Sequence, residues 1–125
     1  MKSDKFSIKS RFGSFRFALN GLLSLFKYEH NSRIYLLAAI IAVIMGILLK
    51  LDHYEWSLLI LVIGFVFLSE LLNSSLELLA DIIDPEWNEL IMKAKDYGAA
   101  AVLISAIVAI VVGGLIFIPK LLNLI

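Results

Sequence analysis

Three long apolar runs divide this chain, and the polar positions between and beside them set what each run can become. Ile34 to Leu49 carries no charge. That is short for a membrane span but adequate where Arg33 and Lys50 reach outward to the interface along their aliphatic stems. Lys50 to Glu55 is a short polar turn, and Trp56 reads as an interfacial anchor opening the second run. No Gly-Pro breaker follows, so one helix is expected from Trp56 to about Ile83, with residues 56–75 as the span. The third run, residues 99–118, repeats small side chains at Ala101, Ser105, Ala109 and Gly113, a packing seam, and is expected to end at Pro119 and Lys120. Ahead of the spans, Phe12, Phe15, Leu19, Leu22, Leu23 and Phe26 recur at three- and four-residue steps. The pattern predicts an amphipathic helix over residues 10–28, lying on the membrane surface. Asp84-Pro85-Glu86 has the form of a helix start, a cap with proline at the first helical position, leading into a short surface segment over residues 87–94.

The second run does not stay apolar. Glu70, Asn73, Ser74, Glu77 and Asp81 fall on one side of the expected helix, within about 60° of a common line. Glu70 would lie about 21 Å below Trp56, still inside a hydrocarbon core of about 30 Å. Glu77 and Asp81 would be at or beyond the far interface. Ionisable groups at membrane depth are costly and usually face a bundle interior or an aqueous cleft.

Composition agrees with an integral membrane protein. The 125 residues are 61% hydrophobic, with mean hydropathy +0.93 and 18% charged, far more apolar than a soluble domain. A single domain over residues 1–125 is expected. No cysteine is present, which excludes disulfides and thiolate metal sites. The N-terminal stretch, with Lys2, Lys5, Lys9, Arg11 and Arg16, lacks the apolar core of a signal peptide. Of the 11 cationic residues, all but Lys50 and Lys120 precede the first span or lie between the second and third. That bias puts the N-terminus and the acidic stretch in the cytoplasm and the C-terminus outside.

The polar groups therefore converge on one membrane face: Glu29 and Arg33, the acidic set, and Lys93, Lys95 and Asp96. Glu29 and Arg33, four residues apart, also have the spacing of a simple helix ion pair. Two carboxylates and a cation suit magnesium-bridged phosphate, because Mg²⁺ takes one or two protein carboxylates together with phosphate oxygens. A deeper carboxylate is placed to deprotonate a lipid hydroxyl. Alone, Glu77 and Asp81 fit a solvated helix end equally well, and Asn73 fits interhelical hydrogen bonding. No P-loop, protein-kinase or HExxH signature occurs. A small transporter or proton-relay subunit, or a non-catalytic assembly protein, are the other classes open. The apolar outer halves of the spans disfavour a transport path.

The run from Glu70 through Asn73, Glu77 and Asp81, followed by Lys93-Ala94-Lys95-Asp96-Tyr97-Gly98, resembles the signature of the prokaryotic diacylglycerol kinase family. The likeness covers nearly the whole chain. It implies an all-α membrane protein, a surface helix plus three transmembrane helices assembled as a homotrimer with shared sites, in the bacterial cytoplasmic membrane. It implies ATP-dependent phosphorylation of a membrane lipid alcohol, with a divalent metal such as Mg²⁺. Carried over, Glu70 is the catalytic base and contacts the lipid with Asn73. Glu29 and Glu77 hold the metal on ATP. Arg11 (or Lys9), Phe17, Lys95 and Asp96 contact the nucleotide. The resemblance assigns no role to Asp81, which is read as supporting the site. Glu29-x-Asn31-x-Arg33-Ile34, Asp84-Pro85 and the Phe117-Ile118-Pro119-Lys120 ending resemble the undecaprenol kinase branch more than the diacylglycerol kinase branch. Asn20, Tyr35 and Ala99 depart from the family pattern.

Overall fold

The computed structural model describes residues 7–84 and 88–125. Those residues form four helices: α1 (Ile8–Tyr28), α2 (His30–Leu48), α3 (His53–Ile83) and α4 (Glu89–Leu122). Helices α2, α3 and α4 are each long and apolar enough to cross a membrane. α3 and α4, at 31 and 34 residues, reach about 46 and 51 Å, well beyond a core of about 30 Å.

Local chemistry sets the boundaries. Ser7 caps α1 by accepting from the Ser10 N–H at 3.1 Å. At the end of α2, Lys50 takes the left-handed conformation (φ 55°). The Leu51 N–H then reaches back to Gly46 O at 3.1 Å and that of Lys50 to Ile47 O at 3.3 Å, a Schellman closure. α3 opens on a reciprocal capping box: the Glu55 N–H donates to Asp52 Oδ1 at 2.9 Å, and the Asp52 N–H to Glu55 Oε1 at 3.1 Å. This box moves the start of α3 to His53, three residues ahead of Trp56. Trp56 itself is half-buried rather than displayed, because Gly46 leaves room for its ring on α2.

Three expectations about the last third of the chain are corrected. Asp84 closes α3, its N–H donating to Ala80 O. The cap of α4 is Asn88, which accepts from the Leu90 and Ile91 N–H groups. Pro85, Glu86 and Trp87 lie outside the described residues. From Glu89 onward there is no break at residues 95–98, so the surface segment and the third span are one helix. α4 also passes through Pro119 to Leu122. Proline removes a single donor, and so near a helix end it costs only one bond of the last turn.

α3 and α4 form the main antiparallel pair, with α2 and α1 attached more lightly. The apolar core sits at the α2–α3 turn end, where Leu51, Leu59, Ile116 and Phe117 pack with Met45, Trp56 and Val112 around them. Lys120 pairs with Glu55 Oε1 there at 3.1 Å, tying the end of α4 to the capping box. Further from the turn, a groove of about 530 Å³ runs between α2, α3 and α4, lined by Tyr35, Ala38, Phe67, Ala109 and Gly113 among others. The small-residue seam is therefore only partly a close contact within one chain. Ser105 is buried, Ala109 and Gly113 face the open groove, and Ala101 lines a second groove of about 490 Å³ on the α3–α4 flank.

Candidate active site on the acidic face of α3

Along the acidic face of α3, burial within the chain falls from Glu70 towards Asp81. Glu70 is 4% exposed, Asn73, Ser74 and Glu77 are half-buried, and Asp81 is exposed. Glu29 and Glu77 are the carboxylates near enough to Glu70 to act on it electrostatically. Three acids from two places in the chain thus come within electrostatic range at Glu70: Glu70 and Glu77 on α3, and Glu29 at the α1–α2 connection.

Glu29 is brought there by an unusual connection. It is the single residue between α1 and α2, extended at φ −99° and ψ 111°, and closes α1 through its N–H on Leu25 O at 2.9 Å. Leu25 is buried, and the Phe26 ring meets Phe67 of α3 edge-on, with centroids 5.7 Å apart. Arg33 makes no ion pair with Glu29 among the described residues. Its Nε donates to Phe26 O at 2.7 Å, and a terminal guanidinium nitrogen donates to Lys27 O. The four-residue spacing suggests a Glu–Arg pair, but the unsatisfied carbonyls ending α1 are the stronger competitors for a planar donor.

On the α4 side, Lys95 Nζ pairs with Asp81 Oδ1 at 2.6 Å and lies within electrostatic range of Glu77. Asp81 thereby acquires a role the sequence pattern leaves open: it holds Lys95 beside Glu77. One turn deeper, Gly98 lies so close to Asn73 Oδ1 that a Cβ there would overlap it. That oxygen is buried and has no hydrogen-bond partner among the described residues. Deeper still, Ser69 and Ser105 hydroxyls meet at 2.8 Å, each also bonded to a carbonyl in its own helix. Gly98 and the serine pair escaped the sequence reading. Ser105 stood in the small-residue repeat and Gly98 in the Lys-Asp-Tyr-Gly run, but neither spacing says which face meets α3.

Of the remaining nucleotide candidates, those on α1 lie far along that helix from Glu29. Phe17 is 77% exposed and Asp96 is exposed. Along a straight α1, Phe17 lies about 18 Å and Arg11 about 27 Å from Glu29. Lys9, the alternative to Arg11, is further still.

No three His, Asp or Glu side chains close into a metal cage among the described residues. Mg²⁺ needs no such cage, since one or two carboxylates suffice when phosphate oxygens and water complete the shell. Glu29 and Glu77, both within reach of Glu70, offer that hard-oxygen donor set. In the chemistry of their donor atoms these two side chains suit the ion.

Outside the spans, the Glu55 backbone N–H holds the Asp52 carboxyl below the ordinary carboxylate range.

Fold and site together define a small polytopic helical membrane protein with a carboxylate-rich site at the end of its bundle away from the packed core. Residues 16–117 match the family described as "Prokaryotic diacylglycerol kinase". The chain is 37% identical over 110 residues to the undecaprenol kinase of Bacillus subtilis, covering 88% of this chain and 89% of that protein. It is 37% identical over 112 residues to a diacylglycerol kinase of Synechocystis, 89% of this chain and 64% of the other. Against the diacylglycerol kinase of Haemophilus influenzae it is 39% identical over 105 residues, 83% of this chain and 89% of that one. The chain belongs to the prokaryotic diacylglycerol kinase family, and it is a membrane lipid kinase.

Proposed function

We propose that this protein transfers the γ-phosphoryl group of ATP to the hydroxyl of a membrane lipid alcohol at the cytoplasmic interface, with undecaprenol favoured over diacylglycerol. The observation that carries the reading is the buried Glu70 carboxylate with Glu29 and Glu77 gathered around it. Glu70, on the lipid side, takes the proton from the alcohol. The alcohol oxygen attacks the γ-phosphorus, and ADP leaves. Asn73, one turn from Glu70 on the same face, orients the alcohol by donating a side-chain N–H to the hydroxyl oxygen. Glu29 and Glu77 would hold the Mg²⁺, which when bound would supply charge neutralisation for the ATP phosphates. Lys95, steered by Asp81, adds a point charge, and Asp96 contacts the nucleotide beyond it.

The preference for undecaprenol rests on the Glu29-x-Asn31-x-Arg33 and Phe117-Ile118-Pro119 patterns and on near full-length similarity to an undecaprenol kinase. The cytoplasmic placement rests on the Lys and Arg bias, and α1, with no acid along its length, is read as a surface helix on anionic lipid. A homotrimer in the bacterial cytoplasmic membrane fits two observations. Less than a quarter of each span's apolar window is buried within one chain. Arg11 and Phe17 are too far along α1 to close on their own Glu29, so a neighbouring copy is their natural site.

Detergent micelles containing ATP, Mg²⁺ and either undecaprenol or diacylglycerol give the test. Turnover of undecaprenol should exceed that of diacylglycerol. Glu70→Gln should lower kcat by about 10² to 10⁴, the scale of a lost general base, and EDTA should stop the reaction. Full activity in Glu70→Gln would remove the proposed base, and phosphorylation of neither lipid would remove the lipid-alcohol reading.

A further inference from the structure

The connection between α1 and α2 is one residue long, and that residue is Glu29. The direction of its carboxylate is therefore set by the angle at which the two helices meet. Nothing within Glu29 fixes that angle, because an isolated φ, ψ pair in the extended region is broad. The last turn of α1 is held from outside by three contacts: Leu25 is buried, Phe26 packs edge-on against Phe67, and the Arg33 guanidinium spans Phe26 O and Lys27 O. The first two seat this turn of α1 in the bundle through apolar side chains. Among the described residues, the third is the side-chain link from α2 to the α1 backbone. Two bonds from one rigid plane constrain angle as well as distance, and the cation also complements the negative end of the α1 dipole.

We propose that Arg33 is the positioning residue for Glu29: by clamping the end of α1 onto the start of α2, it aims the Glu29 carboxylate at the space shared with Glu70 and Glu77. The proposal rests on Glu29 as a ligand of the divalent cation. It assigns Arg33 a role different from both a helix ion pair and a lipid-interface cation. An ion pair would have drawn the guanidinium onto Glu29, and a lipid anchor would have left the carbonyls of α1 to water. Ser32, one residue before Arg33, has no exposed surface, so this turn of α2 is packed where the clamp forms.

The test compares Arg33→Gln, Arg33→Lys and Glu29→Gln in detergent micelles. Binding of Mn²⁺ with a non-hydrolysable ATP analogue is read as loss of the free-ion electron paramagnetic resonance signal against a protein-free control. Mg²⁺ dependence of turnover at saturating lipid is measured alongside. Arg33→Gln should weaken Mn²⁺ binding about tenfold, as loss of a group orienting a ligand does, and raise the half-maximal Mg²⁺ concentration in parallel, with the KM for lipid unchanged. Arg33→Lys should lose less, because an ammonium can still bond a terminal carbonyl. If Glu29→Gln weakens Mn²⁺ binding and Arg33→Gln does not, the positioning role is overturned while Glu29 stands as a ligand. If Glu29→Gln leaves Mn²⁺ binding intact, the ligand reading falls and takes the proposal with it. An Arg33→Gln protein that loses kcat or raises the lipid KM without changing Mn²⁺ binding also overturns it. Should Arg33→Gln fail to fold, Arg33→Lys decides, and Mn²⁺ binding equal to that of the parent would count against the clamp.

Discussion

Lys95 and Asp81 form an exposed pair whose proposed part is in the chemistry rather than in stability. Their side chains are 31% and 62% exposed, so water screens the attraction and the pair does little to hold the fold. Its effect is geometric: it places the ammonium near Glu77. Asp81→Asn is therefore expected to raise the KM for ATP several-fold while leaving the thermal melt in detergent unmoved, and steady-state kinetics with varied ATP checks this. An unchanged KM would return Asp81 to a solvated helix end. Asp52 offers the opposite case. The Glu55 N–H keeps its folded pKa below the unfolded one, so the stabilisation is complete above about pH 4 and is lost as pH falls through the folded value. Asp52→Ala should melt at a lower temperature than the parent at pH 7, with the gap narrowing below about pH 4. A gap independent of pH would mean the cap does not act through the carboxylate. At this scale Glu70 stood out beforehand as an acid within an apolar run, and its burial is seen in the packed chain. Arg33 was not readable in this way, because the helix-pair rule matched it to the wrong acceptor.

Between elements, two glycines do what no spacing rule announces. Gly46 lets the Trp56 ring lie on α2, and a Cβ there would come within 2.7 Å of the ring. Gly46→Ala should destabilise by about 1–3 kcal/mol, the cost of overpacking a filled contact, seen as a lower melting temperature in detergent. Gly98 is different, because the atom in the way is the Asn73 carboxamide. Gly98→Ala should turn that side chain out of place and cost turnover far more than stability. Adding Asn73→Ala to Gly98→Ala should restore the melt but not the activity. If Gly98→Ala keeps full kcat, Asn73 does not orient the lipid hydroxyl. The continuous α4 belongs here as well. Lys93-Ala94-Lys95-Asp96 is polar enough to suggest a break, yet no proline or glycine interrupts it before Gly98, and the helix simply extends past the membrane core.

For the whole molecule, the packed core and the site lie toward opposite ends. Leu51, Leu59, Ile116 and Phe117, with the Lys120–Glu55 link, close the turn end, while the acidic end opens into grooves and leaves Arg11 and Phe17 of α1 distant. If neighbouring copies complete each site, mixing two inactive variants, Glu70→Gln and Arg11→Ala, should restore a fraction of turnover, since some sites would draw both intact residues from different chains. Co-reconstitution in micelles followed by the lipid kinase assay checks this. No recovery at any mixing ratio would favour sites built within one chain.

Hydropathy runs were enough to determine a helical membrane protein with three candidate spans, and the single-sided spacing of Glu70, Asn73, Glu77 and Asp81 marked one face of α3 as the candidate site. Those features are properties of single helices and of their partition between lipid and water, so local periodicity carries them. The tertiary structure decided which groups meet: Glu29 with Glu70, Asp81 with Lys95, Asn73 with Gly98, and Arg33 with the end of α1. Such pairings depend on where antiparallel helices fall in register and on the angle at a one-residue connection. Both follow from packing between segments far apart in the chain, of which no single segment bears a mark.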